Sequence, residues 1–293
     1  MTISNQSIAT ETEPGQLTRS CLICDGQRHR PVFSEFGVEI LRCGSCGHVF
    51  SSFAGDAHYD GFWGENVPDS DHFYWSQART RMHQDFFKRF LAGRSGRLLD
   101  MGCGLGFFLK AMGAYPSWQP YGCEISPSAV RYIREKLCLN NVICSRLQDC
   151  DFPQGSFDIV TMWDVLDHLL SPDPALRRCR ALLKDGGMLF IRTPNISVQL
   201  PRARLKKLTQ NTHGEHSYLR AQEHFHHYSR SSIRTLLERN GFSHIELTHL
   251  HPIVSSRSVV GRAIKNACYE AVRATAILSR DRLNLDNLFV VAR

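Results

Sequence analysis

From Arg97 onward, short apolar runs of strand length alternate with segments whose apolar residues recur every three or four positions. That alternation is the mark of a parallel sheet wound with crossover helices, a doubly wound α/β fold. RLLDM, PYGCEI, NVICS, FDIVTMW and GGMLFIRT are expected as successive strands. FFLKAMGAY, SPSAVRYIREKL and PALRRCRALLK are expected as the helices that follow the first, second and fourth of them. Beyond Pro194 the pattern loosens, then SRSSIRTLLERNGF predicts a helix and SHIELTHL and LDNLFVVAR two closing strands.

Upstream of this domain, Met82, Phe86, Phe87 and Phe90 recur at helical spacing before a terminating Gly93, behind a turn-rich aromatic stretch, YDGFWGENVPDSDHFYW. RHRPVFSEFGVEILRC alternates as a short hairpin does, and a hairpin alone buries too little surface to stand. Residues 1–19, rich in Ser, Thr, Glu and Gln without periodicity, read as a mobile tail. The expected division is therefore a tail at 1–19, a small module at 20–52, an aromatic linker and helix at 53–94 and the main domain at 95–293. Between Ser255 and Arg280 a helical projection places Arg262, Lys265, Asn266, Tyr269, Arg273 and Arg280 on one face. Val260, Ala263, Ile264, Ala267, Ala271, Ala274 and Leu278 fall on the other. The apolar face is expected to dock on the protein's own core or over a substrate pocket, the alternative being a membrane surface.

Composition adds bounds: 42% hydrophobic and 22% charged residues are ordinary for a globular chain. No apolar stretch approaches a membrane span, and the start lacks the basic-then-apolar order of a signal peptide, so a cytoplasmic protein is expected. The net charge of +7 arises in the last third, where residues 200–293 hold 15 basic and 7 acidic side chains. Such a surface can meet an anionic substrate, nucleic acid or lipid, or simply keep the chain soluble. Of the 11 cysteines, Cys21, Cys24, Cys43 and Cys46 form two C-x-x-C pairs 18 residues apart, the spacing of a structural zinc site. Four thiolates close a tetrahedron and leave no position for chemistry, so the metal would hold the fold; the alternative is a set of reduced, unmetallated thiols.

Chemistry concentrates in LLDMGCGLGFFLKAM. A strand ends at Asp100, a turn follows with Gly102, Gly104 and Gly106, and an apolar-periodic helix begins. Glycines let the backbone bend sharply and approach a ligand, and the helix start offers unpaired N–H groups. Eighteen residues after Gly106 the second strand ends in Glu124, whose carboxylate can accept hydrogen bonds from both hydroxyls of a ribose. A dinucleotide fingerprint requires its third glycine one residue later, and position 107 is Phe.

DMGCGLG, CEIS, LQDCDFPQGSFDIVTMWDVLDHL, LKDGGMLFIRTPN and HFHHYSRSSIRTLLERNGF occur in that order over about two thirds of the chain. Together they resemble the class I S-adenosylmethionine-dependent methyltransferases, here with an N-terminal four-cysteine zinc-binding module. The resemblance implies a Rossmann-like seven-stranded sheet in the order 3-2-1-4-5-7-6 with its last strand antiparallel. It implies that Asp100, Gly102, Cys103, Gly104 and Gly106 hold the methionine part of S-adenosylmethionine, and that Glu124 and Ile125 meet the ribose. Leu147, Gln148 and Asp149 would flank the adenine, and Trp163 or Asp164 would border the sulfonium.

Asp164, Asp167 and His168 have i, i+3, i+4 spacing and would share a helical face. The stretch is similar to an acid-x-x-acid-His motif of ubiquinone-pathway O-methyltransferases, which implies a site for a divalent ion such as magnesium; aspartates at both acidic positions reach less far. His168 is then either the base that takes a proton from the acceptor or part of an Asp–His pair that fixes a helix start. His224, in HFHHYS with His226, His227 and Tyr228, is the second candidate base. Arg202, Arg204, Lys206 and Lys207 would neutralise a diphosphate or headgroup, or stay solvated. Tyr59, Phe62, Trp63, Phe73, Tyr74 and Trp75 would form an aromatic lid or cement the small module to the sheet. The expected function is methylation, O-directed, of a small-molecule acceptor such as a sugar, phenolic or lipid-linked metabolite. Its rivals are a ribosomal RNA base methyltransferase and a non-enzymatic scaffold; nucleic acid is disfavoured because the small module is not the seat of the positive charge. Oligomeric state leaves no trace in the sequence.

Overall fold

The computed structural model describes residues 20–53, 55, 69–209, 217–254, 258–278 and 287–293. The expected tail at 1–19, Tyr59, Phe62, Trp63 and Arg280 lie outside the described residues. The main sheet uses β4 (Gly96–Met101), β5 (Trp118–Glu124), β6 (Val142–Cys144), β7 (Phe157–Trp163), β8 (Leu183–Thr193), β10 (Glu246–Thr248) and β11 (Leu288–Ala292). Its order is β10-β11-β8-β7-β4-β5-β6, the seven-stranded doubly wound arrangement expected from the sequence. All pairings from β6 to β8 are parallel, and β11 runs antiparallel to both β8 and β10. Its central strands read as unbroken apolar runs because helices cover both faces: Leu98, Leu99 and Met101 on β4 are fully buried. Helices start where local chemistry fixes them. Ser126 caps α4 (Pro127–Leu137) by accepting the Ala129 N–H at 3.4 Å, with Pro127 in the first turn. Ser229 and Ser232 form a capping box at the start of α7 (Arg230–Arg239).

A smaller antiparallel sheet, β1-β2-β3-β9, carries the four cysteines. Its hairpin is β1 (His29–Glu35) and β2 (Val38–Cys43), closed by Phe36 and Gly37 at φ 49° and 68°, and β3 is Val49–Ser51. Its fourth strand, β9 (His226–His227), comes from the far end of the chain, so the two sheets share one polypeptide crossing.

The helix expected before the main sheet is α2 (Thr80–Phe86), continued by a π turn at Phe87–Leu91 and ended at Gly93 with φ 72°. Phe86 stands at its centre, 4.8 Å from the ring of Phe190, 5.4 Å from Trp163 and 5.6 Å from Phe108, mostly edge to face. The aromatic stretch ahead of it is not all turn: α1 spans Asp69–Trp75.

Two further expectations are corrected. The chain does not loosen after Pro194 but forms α6 (Ile196–Thr209), with Pro201 inside it. Arg204 and Lys207 on that helix donate to the carbonyls of Val32 and Ser34, each at 3.0 Å. These two exposed cations brace the edge of β1, and neither lines the cleft. In α8 (Val259–Leu278) the docked face is that of Tyr269, which is buried with its ring 4.6 Å from His251. Val260, Ile264 and Leu278, on the face expected to dock, are exposed. No described residue of α8 lines the cleft below, and among the described residues no helix is long and apolar enough to cross a membrane.

Candidate functional site

A cavity of about 370 Å³ opens at the carboxyl ends of β4, β5 and β7, where a parallel sheet exposes its loops. The turn after β4 forms its floor. The backbone N–H groups of Gly102 and Cys103 donate to the Cys123 carbonyl at 2.7 and 3.1 Å, pinning the turn to β5. Gly102 has φ 77°, and a Cβ there would stand 2.7 Å from Cγ2 of Val165. Gly106, at φ 74°, sits behind the turn, where a Cβ would strike Ile133 at 2.8 Å. Only glycine meets both demands at these positions.

Glu124 reaches across this turn. Its Oε2 accepts the Gly104 N–H at 2.8 Å and its Oε1 the Ser126 N–H at 3.0 Å. Burial raises its pKa, against the pull of those backbone donors. Asp100 is 2% exposed, and its Oδ1 accepts the Thr161 hydroxyl at 2.7 Å. Burial pushes its pKa to about 7; the Thr161 bond opposes the rise and the neighbouring Glu124 charge adds to it. Two buried acids with spare lone pairs make this end of the cavity a place for hydrogen-bond donors and cations.

Of the residues expected from the sequence, Asp100, Gly102, Cys103, Gly104, Glu124 and Ile125 line the cavity. So do Gln148, Trp163 and His168. Asp149 does not: Leu147–Asp149 is a tight 3₁₀ turn, so its successive side chains diverge, and Asp149 is exposed off the cleft.

The helical face expected for Asp164, Asp167 and His168 is absent. Asp164 follows β7 in a left-handed conformation, φ 57°, and only Leu166–His168 form a 3₁₀ turn. The Asp164 carboxylate is bound by Arg79 at 2.9 Å and by Arg192, so the trio expected for a divalent ion such as magnesium does not form. His224 takes the third place instead. Asp167 Oδ2 lies 3.4 Å from His224 Nε2 and 3.9 Å from His168 Nε2, and the two rings stand edge to face at 4.6 Å. One carboxylate oxygen and two imidazole nitrogens thus lie within 4.8 Å of one another.

Burial dominates the electrostatics of this cluster. It pushes Asp167 up to about 6, partly offset by hydrogen bonds from its own backbone N–H and from Thr193. It pulls His168 down to about 4, helped by the Arg220 charge and opposed by Glu223. His224 is lowered further by the same burial, with His168 and Arg220 adding to it. At neutral pH both imidazoles are uncharged and able to accept a proton.

Trp75, expected in an aromatic lid, is on the cavity wall; sequence reasoning missed Arg79 and Arg220, which line it as well. Arg79 is 2% exposed and stacks over the Trp75 ring at 4.1 Å. Its signal was legible: Arg79 continues the buried stripe of His83, Phe86 and Phe90, and a charge on such a stripe needs a partner.

In the small sheet the sulfurs of Cys21 and Cys46 lie 3.5 Å apart and those of Cys24 and Cys43 3.6 Å apart. All four gather within 4.8 Å. A tetrahedron with bonds of about 2.3 Å has edges of ~3.8 Å, so the donor set suits one zinc ion.

Residues 74–247 match the methyltransferase domain family. A ubiquinone biosynthesis O-methyltransferase of Neisseria meningitidis is 32% identical over 108 residues, covering 35% of this chain and 45% of the relative. A probable S-adenosylmethionine-dependent methyltransferase of Mycobacterium tuberculosis is 28% identical over 131 residues, covering 44% of this chain and 46% of the relative. The chain spans about half the length of the curated relatives it matches. Among solved structures, phosphoethanolamine N-methyltransferase 2 of Haemonchus contortus, in complex with S-adenosyl-L-methionine, superposes with a TM-score of 0.52 at 17% identity. That superposition covers 83% of this chain and 61% of the other, and is a likeness of fold. With the family match extending over more than half of its length, the chain belongs to the methyltransferase domain family.

Proposed function

We propose that the enzyme O-methylates a small-molecule acceptor, phenolic in its reacting group, with His168 as the base. The observation that carries this is the Asp167–His168–His224 cluster, of which His168 stands on the wall of the cleft with Asp167 and His224 buried behind it. The names of the O-methyltransferase relatives agree with it. S-Adenosylmethionine supplies an electrophilic methyl carbon. Asp100 and the turn from Gly102 to Gly106 would hold its methionine part, Glu124 the ribose diol, and Leu147 and Gln148 the adenine edge. Trp163 and its aromatic neighbours keep water from the reacting end. With S-adenosylmethionine bound, the acceptor oxygen would displace the sulfur in line at the methyl carbon, and His168 would take the hydroxyl proton. Asp167 stabilises the imidazolium. Arg79 and Arg192, two guanidiniums on the single carboxylate of Asp164, leave a net positive charge that favours the negative charge developing on the acceptor oxygen as its proton leaves.

Transfer of tritiated methyl groups into fractionated cell extract tests the reading. Label should enter the small-molecule or lipid pool; label confined to RNA would replace it with the base-methylating alternative. The role of Asp100 predicts a pH signature. A donor-rich ligand binds its ionised form, so affinity should rise as pH rises through about 7. Between pH 6 and 8 the dissociation constant of S-adenosylhomocysteine should fall about tenfold by proton linkage, and Asp100→Asn should flatten that dependence in calorimetry. We also place one structural zinc on Cys21, Cys24, Cys43 and Cys46, whose sulfurs already face one point. Metal analysis should return one zinc per chain, and Cys43→Ala should lose it together with the fold of the small sheet.

A further inference from the structure

Residues 217–228 run between the two sheets. Toward the main sheet they carry Arg220, on the cavity wall, and His224, against Asp167. Their other side is fastened to the cysteine-bearing sheet at closely spaced points. Glu35, at the end of β1 and 6% exposed, accepts three backbone N–H groups: Tyr218 at 2.8 Å, Leu219 at 3.0 Å and Ala221 at 2.5 Å. Ser51 donates its backbone N–H to the Phe225 carbonyl at 3.0 Å and its hydroxyl to the Ala221 carbonyl at 2.6 Å. β3 pairs with β9, Val49 opposite His227 and Phe50 opposite His226, and His48 Nε2 meets His226 Nδ1 at 3.2 Å.

The charge on Glu35 makes this more than ordinary packing. Three N–H groups converging on a carboxylate form charge-assisted bonds, stronger than those between neutral groups. They fall on both sides of Arg220, which adopts φ 58°, a left-handed conformation that needs outside support in a non-glycine residue. Two more bonds, from the Glu223 and His224 N–H groups to the Arg220 carbonyl at 2.9 and 2.8 Å, carry that geometry on to His224. Glu35 itself is set by the two-residue turn at Phe36 and Gly37, both with positive φ, which fixes the register of the hairpin.

We infer that the cysteine-bearing sheet is a clamp on residues 217–228, and that Glu35 is its positioning residue, holding Arg220 at the cleft and His224 against Asp167 and His168 through the backbone of residues 218–221. This rests on the reading of the cleft as the site of methyl transfer to a phenolic group. Glu35 touches neither cofactor nor acceptor, so its loss should leave cofactor binding alone.

The test uses Glu35→Ala and Glu35→Gln in the full chain, with catechol as the acceptor probe. In Glu35→Ala the amides of 218–221 should exchange hydrogen at least about tenfold faster, from loss of charge-assisted bonds. Those of β4, and affinity for S-adenosylhomocysteine, should stay as in the wild type. Turnover of catechol should fall by about tenfold or more with the KM for S-adenosylmethionine unchanged, because misplacing a catalytic group costs rate. Glu35→Gln, which keeps an acceptor oxygen, should recover part of both losses. Unchanged exchange at 218–221, or freed amides with full turnover, overturns the clamp. So does equal loosening of β4 in both variants, which would make Glu35 a general stabiliser. A wild-type chain that binds S-adenosylhomocysteine but leaves catechol untouched counts against the phenolic acceptor alone, and the clamp is then decided by the exchange pattern.

Discussion

Replacing His168 with alanine should lower turnover by about two to four orders of magnitude, the range of general base catalysis, while affinity for S-adenosylhomocysteine stays within a factor of about two. His168 borders the cavity, and its counter-charge, Asp167, is held by Thr193 at 3.2 Å and buried to 2% exposure. Burial keeps His168 neutral above a pH of about 4 and raises Asp167 to about 6. A neutral imidazole can take the proton at any pH near neutral, but the imidazolium so formed gains from Asp167 only when that carboxylate is ionised. The rate should therefore rise with pH through about 6 and level off above it, and Asp167→Asn should remove that acid limb. His224→Ala should lose rate as well, since its Nε2 lies 3.4 Å from the same carboxylate oxygen. Full turnover in both histidine variants would take acid–base chemistry away from this cluster and leave orientation as the source of catalysis. The acceptor isolated from the tritium experiment is the substrate for these assays.

How far the sequence could reveal this site follows from which interactions are local. The main strands were legible because each strand buried on both faces is an unbroken apolar run, their order in the sheet only because the family resemblance implied it, and the glycine turn because Asp100, Gly102 and Gly106 sit within a few residues of one another. The four cysteines were legible because their spacing is itself the signal. Asp164 was misplaced for the opposite reason. Its partners, Arg79 and Arg192, lie 85 and 28 residues away, and they draw it out of the helical geometry that spacing alone suggests. His224 was named, but its meeting with His168 depends on the crossing of β9 to the small sheet, which no local pattern encodes. For α8 the period was right and the orientation wrong: a helical projection tells which residues share a face, whereas Tyr269 packing on His251 decides which face turns inward. For Arg204 and Lys207 the sequence left open an anion or solvent as partner, and it does not show that the edge of β1 offers carbonyls to them.

Glu124→Ala should weaken binding of S-adenosylhomocysteine at least about a hundredfold, the loss expected when charge-assisted hydrogen bonds worth about 1.5–3 kcal/mol each go missing together. The carboxylate has two tasks. It ties the glycine turn to the start of α4 by accepting the Gly104 and Ser126 N–H groups, and, as it lines the cavity, its remaining lone pairs would take the ribose diol on the proposed reading. Alanine abolishes both, freeing two N–H groups as well as the diol. Glu124→Gln separates them: the amide oxygen can still accept from one backbone donor, but its NH₂ end faces either the second donor or a ribose hydroxyl without a negative charge. Its affinity should fall between that of the wild type and alanine, with thermal stability nearer the wild type. Burial already raises the Glu124 pKa in the free enzyme, so neutralising it disturbs the resting turn less than it disturbs the complex. Calorimetry across the three proteins reads this directly. Equal affinity in all three would mean that the ribose is gripped elsewhere. No heat even in the wild type would mean that this cleft, with its acids and its bent turn, serves as scaffold.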